Sequence, residues 1–228
     1  MTIGPHKILT PKEVTTVVRD LRRRRTLAAK RKRKDLRWPV KMQIFFLATF
    51  HGLRAKEIAG LNVGDLHRVT ETPDVDRPYL FVKAETTKGM HGYRRSREVR
   101  MTWPTRDVYS DMRELLAMRL NMGAKPTDPF VCSLEPRSVG KRLRGNQIDR
   151  FFKSACKCFS RKGGLRVHVH MGRHTYATTA IHTWRRTLEE VQKAMGHRSV
   201  ATTSIYLHAL DDPTRDWGGG EAESRKAG

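Results

Sequence analysis

Apolar positions along this chain recur mostly at helical spacing, interrupted by two short stretches rich in apolar or β-branched residues. Thr10-Pro11-Lys12-Glu13 has the makings of a helix start, with Thr as N-cap, Pro in the first turn and Glu three residues on. Val14, Val17, Val18 and Leu21 then fall on one face. Residues 39–50 carry Val40, Ile44, Phe45, Leu47 and Ala48 and predict a buried helix ending near Gly52. A short helix follows over 54–61. Segments 79–83 and 97–101 are strand-like, joined by the glycine-containing basic connection Thr87-Lys88-Gly89-Met90-His91-Gly92. Helices resume over 106–120 and 146–159. Three short ones complete the pattern: 175–182, a second capped helix opened by Thr187-Leu188-Glu189-Glu190 and closed at Gly196, and a third capped by Ser199 that leads to Tyr206. The fold class expected is α+β, mostly α, with a small antiparallel sheet.

Composition narrows the partner. The chain has 228 residues, enough for one good core or two small ones, and shows no internal repeat. Its 46 Lys and Arg against 23 Asp and Glu give a formal charge of +23, which points to a polyanion and to nucleic acid before an anionic membrane. No apolar run approaches a membrane span and no signal-peptide core is seen, so no membrane partner is expected. Three cysteines (Cys132, Cys156 and Cys158) make no disulfide framework, in keeping with a reducing compartment and a cytoplasmic, nucleoid-associated protein. The densest charge, Arg22, Arg23, Arg24 and Arg25, then Lys30, Arg31, Lys32, Arg33 and Lys34, would repel itself unless a polyanion neutralised it. We expect a phosphate-tracking arm over about 19–37, with a solvated basic stretch or a localisation signal as the plain reading.

The chemistry concentrates late in the chain. His170-Met171-Gly172-Arg173-His174 is followed by Gly196-His197 and then Tyr206. A phenol can serve as a covalent nucleophile, a guanidinium can hold two phosphate oxygens, and imidazoles move protons near neutral pH. Cys156 and Cys158 with His168 and His170 are too closely spaced for a usual zinc site, so neither metal nor other cofactor is expected.

Four blocks together resemble the tyrosine recombinases, the phage integrase family, over about residues 9–210. They are Gly52-Leu53-Arg54-Ala55-Lys56-Glu57-Ile58, Thr87-Lys88-Gly89, His170-x-x-Arg173-His174-Thr175-x-Ala177-Thr178, and Gly196-His197-Arg198-Ser199 with Thr202-Thr203-x-x-Tyr206. The resemblance implies that Arg54 and Arg173 are the two active-site arginines, Lys88 the hairpin lysine, His170 and His197 the two histidines, with His170 the best candidate base, and Tyr206 the nucleophile. Glu57 is its acidic support, and His174 supports the fold beside it. Tyr79, Tyr93, Tyr109 and Tyr176 compete with Tyr206, but none stands at the family's interval. Gly172 replaces a bulky apolar residue, and the expectation is a gap there that loosens Arg173.

The implied partner is double-stranded DNA, bound as a multimer (a tetrameric synapse), with an accessory DNA-bending protein or a separate clamp domain. The implied use is integration, excision or inversion of a mobile element. The domain layout expected is an extension over 1–8, the catalytic domain over 9–210 and a flexible tail over 211–228, without the family's usual N-terminal clamp. Trp217 in that tail would dock on a neighbouring subunit or end a disordered segment. Two rival functions share these residues: a type IB topoisomerase-like enzyme that relaxes DNA, and a non-catalytic DNA-binding accessory protein.

Overall fold

The computed structural model describes residues 7–30, 37–69, 78–86, 95–101, 106–158 and 167–208. Lys88, Arg31, Lys32, Arg33, Lys34 and the tail over 211–228 lie outside the described residues.

Helix α1 (Pro11–Lys30) starts as its capping sequence requires. The Thr10 amide donates to Glu13 Oε2 at 2.8 Å and the Glu13 amide to Thr10 Oγ1 at 3.2 Å. Its apolar face buries Val17 and Leu21 completely. Helix α2 (Arg37–Thr49) is apolar nearly all round and is correspondingly enclosed, with α1, α4 (Arg106–Asn121), α5 (Gly145–Ala155) and α6 (Val169–His182) packed about it. Phe45 stacks on Phe152 of α5 at 5.5 Å between ring centroids. Helix α3 (Ala55–Gly60) follows the turn at Gly52, whose φ is +66°. A Cβ there would meet the Tyr176 ring at 2.5 Å, so both the backbone angle and the close approach call for glycine.

The sheet has the order β1-β2-β3, all antiparallel: β1 (Leu66–His67), β2 (Tyr79–Val82) and β3 (Arg97–Arg100). Leu80 pairs with Leu66 on one side and Val99 on the other, and this row faces the core. The two longer strands lie within the stretches that their apolar and β-branched content predicted. β1 is only two residues long, too short for any period to show.

Helices α7 (Leu188–Met195) and α8 (Val200–Ser204) close the chain over a second, smaller cluster of Ile8, Tyr176, Ala177, Ala180, Val191, Met195 and Tyr206. Thr187 caps α7 by accepting from the Glu190 amide at 3.2 Å, and Gly196 ends it in the left-handed region.

Two expectations need correction. The helix expected to start at residue 175 begins at Val169. Its N-cap His168 makes no side-chain cap bond; instead the Val169 amide donates to Asp149 Oδ1 of α5 at 2.9 Å. A cap supplied from twenty residues upstream leaves no local signal. Gly172, moreover, leaves no gap. A Cβ on it would stand 2.8 Å from the Ala48 Cβ and 3.0 Å from the Phe152 ring and from Thr49 Oγ1, so α2 and α5 already fill the space.

Candidate active site

Helix α6 brings three of the expected residues together because its first helical turns carry them: His170, Arg173 and His174 are spaced three and four apart. Arg173 is 4% exposed. Its Nη1 donates to the Gly52 carbonyl, and its Nη2 to the Met195 carbonyl at 2.6 Å, tying the α2–α3 turn to the end of α7. The placement is tight, contrary to the looseness expected from Gly172.

Arg54, the N-cap of α3, and Glu57, at its third helical position, hold one another. Glu57 Oε2 accepts the Arg54 amide at 2.8 Å and Oε1 accepts Arg54 Nη1 at 2.9 Å. The Glu57 side chain is fully buried and Arg54 partly open to solvent. Arg97, at the start of β3, adds a two-pronged contact, Nη1 to Oε1 at 3.1 Å and Nη2 to Oε2 at 2.9 Å, while its Nε donates to the Ala194 carbonyl at 2.9 Å. Arg173 Nη1 lies 3.8 Å from Glu57 Oε2. Burial opposes ionisation of Glu57, but Arg97 foremost, then Arg173 and Arg54, hold its pKa down to about 2. Burial and the neighbouring Arg54 lower Arg173 to about 9, which leaves it cationic at neutral pH. Three guanidinium groups thus surround one carboxylate, and the surplus of positive charge suits an anion.

Tyr206 is 2% exposed and stands two residues past the end of α8. His174 Nδ1 is 2.9 Å from its hydroxyl. The His197 ring lies nearly parallel to the phenol ring, 7° between planes and 6.5 Å between centroids, and His197 Nδ1 bonds Thr203 Oγ1 at 2.9 Å. Burial raises the phenol pKa, opposed by Arg173 and Arg54. Burial, then the cationic neighbours, lowers His197 to about 3; burial, with His170 and His168 next, lowers His174 to about 4. His170 is lowered as well, by burial first and by His168 next. All three imidazoles are therefore neutral at pH 7.

Arg54, Glu57, His170, Arg173, His174, His197 and Tyr206 converge in this way, and Lys88 falls outside the described residues. One role changes in emphasis. Sequence reasoning set His170 as the base and His174 as a support; the hydrogen bond to the phenol comes from His174. Arg97 was missed, since an arginine at a strand start carries no signal of the carboxylate it will meet.

Part of the basic run lies within the described residues. Arg22 and Arg25 bind Asp111 of α4 at 3.0 and 2.8 Å, Arg25 also binds Glu114 at 2.9 Å, and Arg24 and Arg23 bind Asp20 at 2.7 and 3.2 Å. Carboxylates of the fold, rather than a polyanion alone, relieve the repulsion of these four; Lys30 is exposed. Among the described residues no group of three or more His, Cys, Asp or Glu could hold a metal ion, and no helix is long and apolar enough to cross a membrane.

Known proteins resemble this chain in sequence and in fold. Curated relatives include a tyrosine recombinase XerC of Chlorobaculum tepidum, 27% identical over 168 residues (72% of this chain, 44% of the relative). Another is a tyrosine recombinase of Pseudothermotoga lettingae, 30% identical over 174 residues (75% of this chain, 50% of the relative). The chain thus spans about half the length of these relatives. Among solved structures, the XerA recombinase superposes with a TM-score of 0.60 at 21% identity, over 90% of this chain and 62% of that one. A lambda integrase dimer bound to a COC′ core site gives 0.55 at 19%, over 92% and 61%. At such identities the likeness establishes the fold. The phage integrase family itself matches residues 9–212, nearly the whole length, and the chain belongs to that family.

Proposed function

We propose that this chain is the catalytic part of a site-specific DNA recombinase that cuts and rejoins strands through Tyr206. The observation that carries the reading is the phenol held beside an arginine-rich pocket, with its hydroxyl on His174 and its ring along His197. The phenolate attacks a backbone phosphorus in line with the 5′ oxygen. A P–O bond forms to Tyr206 as the bond to the 5′ oxygen breaks, giving a 3′-phosphotyrosyl link and a free 5′-hydroxyl. That hydroxyl later attacks a second phosphotyrosine and exchanges the strands. Bond energy is kept in the protein linkage, so no nucleotide cofactor is required.

Each side chain has a task in this scheme. Arg54 and Arg173 match charge on the non-bridging oxygens, and His197 contributes an imidazole N–H. Glu57 and Arg97 keep the two arginines in place. A phenol of ordinary pKa about 10 must lose its proton. His174, already on the hydroxyl, and His170, one turn away, are the acceptors at hand. Lys88 would protonate the leaving 5′ oxygen. The exposed Lys30 with Arg31, Lys32, Arg33 and Lys34 would track phosphates, while Arg22, Arg23, Arg24 and Arg25 serve chiefly the fold. The assembly is a tetrameric synapse on paired sites, aided by a clamp domain or a bending protein, and its biological use is integration, excision or inversion of a mobile element.

The experiment that tests this reading is strand exchange in EDTA between two pools of nicked duplexes of different length and label. Joined products carrying both labels are expected. Relaxation of supercoiled DNA without joined products would mark a topoisomerase, and salt-sensitive binding with neither would mark an accessory protein.

A further inference from the structure

His182 has no place in the scheme above, yet it touches the nucleophile residue. Its Nε2 lies 2.9 Å from the Tyr206 carbonyl. A carbonyl only accepts, so Nε2 carries the hydrogen and donates it. His182 and His174 lie on one stripe of α6, with Thr178 between them at helical spacing. Eight residues of helix rise about 12 Å, so the stripe spans about two turns. Tyr206 lies along it, its hydroxyl at the His174 end and its main-chain carbonyl at the His182 end. Two contacts so far apart fix the direction of the residue as well as its position.

The element before Tyr206 holds its amide, which donates to the Thr203 carbonyl at 3.1 Å, but not its carbonyl, and that is what the His182 anchor adds. Helix α8 has five residues, too few to hold its own orientation. Its last carbonyls are met by the turn that follows, the Leu207 amide donating to the Ser204 carbonyl at 3.0 Å, but the Tyr206 carbonyl lies beyond its end. The other restraints act on different atoms: Thr203 Oγ1 is held by His197, and the ring by the small cluster of α6 and α7.

We infer that His182 is a positioning residue for the nucleophile: with His174 it docks Tyr206 at both ends onto α6 of the same chain, aiming the phenol at the arginine pocket. The inference deepens the proposed function and rests on it for its catalytic meaning. The docking itself can be read without DNA.

The test uses the full chain with His182→Leu, which removes the donor, and His182→Gln, whose amide nitrogen reaches the position of Nε2. Tetranitromethane nitrates accessible tyrosines, and peptide analysis reports Tyr206 separately from Tyr176, which is 6% exposed in the same cluster. Nitration of Tyr206 should be slow in the wild type, several-fold faster in His182→Leu and slow again in His182→Gln, with Tyr176 slow throughout. Equal rates at Tyr206 in all three proteins would overturn the inference, as would acceleration at both tyrosines, which means general loosening. In the second arm, adducts on pooled nicked duplexes should form about 10- to 100-fold more slowly in His182→Leu at unchanged DNA affinity, with recovery in His182→Gln. The expected nitration pattern without any wild-type adduct would leave the docking standing and remove the recombinase reading. Adducts forming equally fast in His182→Leu would remove the positioning role.

Discussion

At the scale of single residues, Glu57 decides the character of the pocket. It is buried, yet three arginines keep it ionised down to about pH 2. Glu57→Gln leaves those guanidinium groups crowded without a counter-charge, and loss of one partner from a buried ionic cluster costs about 3–5 kcal/mol. Urea unfolding at neutral pH should show a loss of that order, and a change within error would refute the cluster's importance. The pH dependence has a definite sign. Glu57 is depressed in the fold, so its contribution is complete above its ordinary value of 4.5 and is lost as pH falls toward about 2. Burial lowers His51, fully enclosed just past α2, to about 4, and His174 and His197 lie at about 4 and 3, so the unfolded chain binds their protons first. Stability should begin to fall as pH drops below the ordinary histidine value of 6.5, and the Glu57 part should join below 4.5. Denaturation midpoints between pH 8 and 3 check this; a midpoint flat from 7 to 5 would contradict the neutral buried imidazoles.

At the scale of elements, α6 matters most, and both of its special features come from elsewhere in the chain. Its first turn is capped by Asp149 and its Gly172 makes room for Ala48. Gly172→Ala gains helix propensity of about 1 kcal/mol, but forces a methyl to within 2.8 Å of another on a packed helix. Overpacking of that kind costs about 1–3 kcal/mol, so the net effect should be destabilising, read as a lower Tm. A higher Tm would show that α2 can retreat. The same features explain what the sequence could disclose. Capping boxes at Thr10 and Thr187, the glycine stop at Gly196 and the apolar and β-branched content of β2 and β3 are local, and were legible. The start of α6, the fit at Gly172 and the Arg97–Glu57 contact join residues far apart in sequence, so no local pattern carried them. The candidate site residues had a different source: the four blocks that resemble the phage integrase family marked Arg54, Glu57, His170, Arg173, His174, His197 and Tyr206 before any geometry. Those blocks could not say which imidazole meets the phenol.

At the scale of the whole molecule, the fold's own carboxylates meet part of the +23 charge. Arg22 and Arg25 bridge α1 to α4 through Asp111, so Arg22→Gln with Arg25→Gln should lower Tm and change the salt dependence of DNA binding little. Changing Lys30, Arg31, Lys32, Arg33 and Lys34 to Gln should instead weaken binding to all sequences alike, because phosphate contacts carry no sequence information. If about six phosphates are neutralised, the log–log salt slope of the wild type is about −5. A slope near zero, or a loss confined to some sequences, would refute the arm.

The central claim is that Tyr206 becomes covalently joined to DNA, and one trapping measurement addresses it directly. Wild type and Tyr206→Phe are incubated in EDTA with pooled nicked duplexes, denatured, and examined for protein that stays attached. The account predicts a wild-type adduct whose modified peptide contains Tyr206, and none from Tyr206→Phe. An adduct mapping to another residue, or one that persists in Tyr206→Phe, would contradict it.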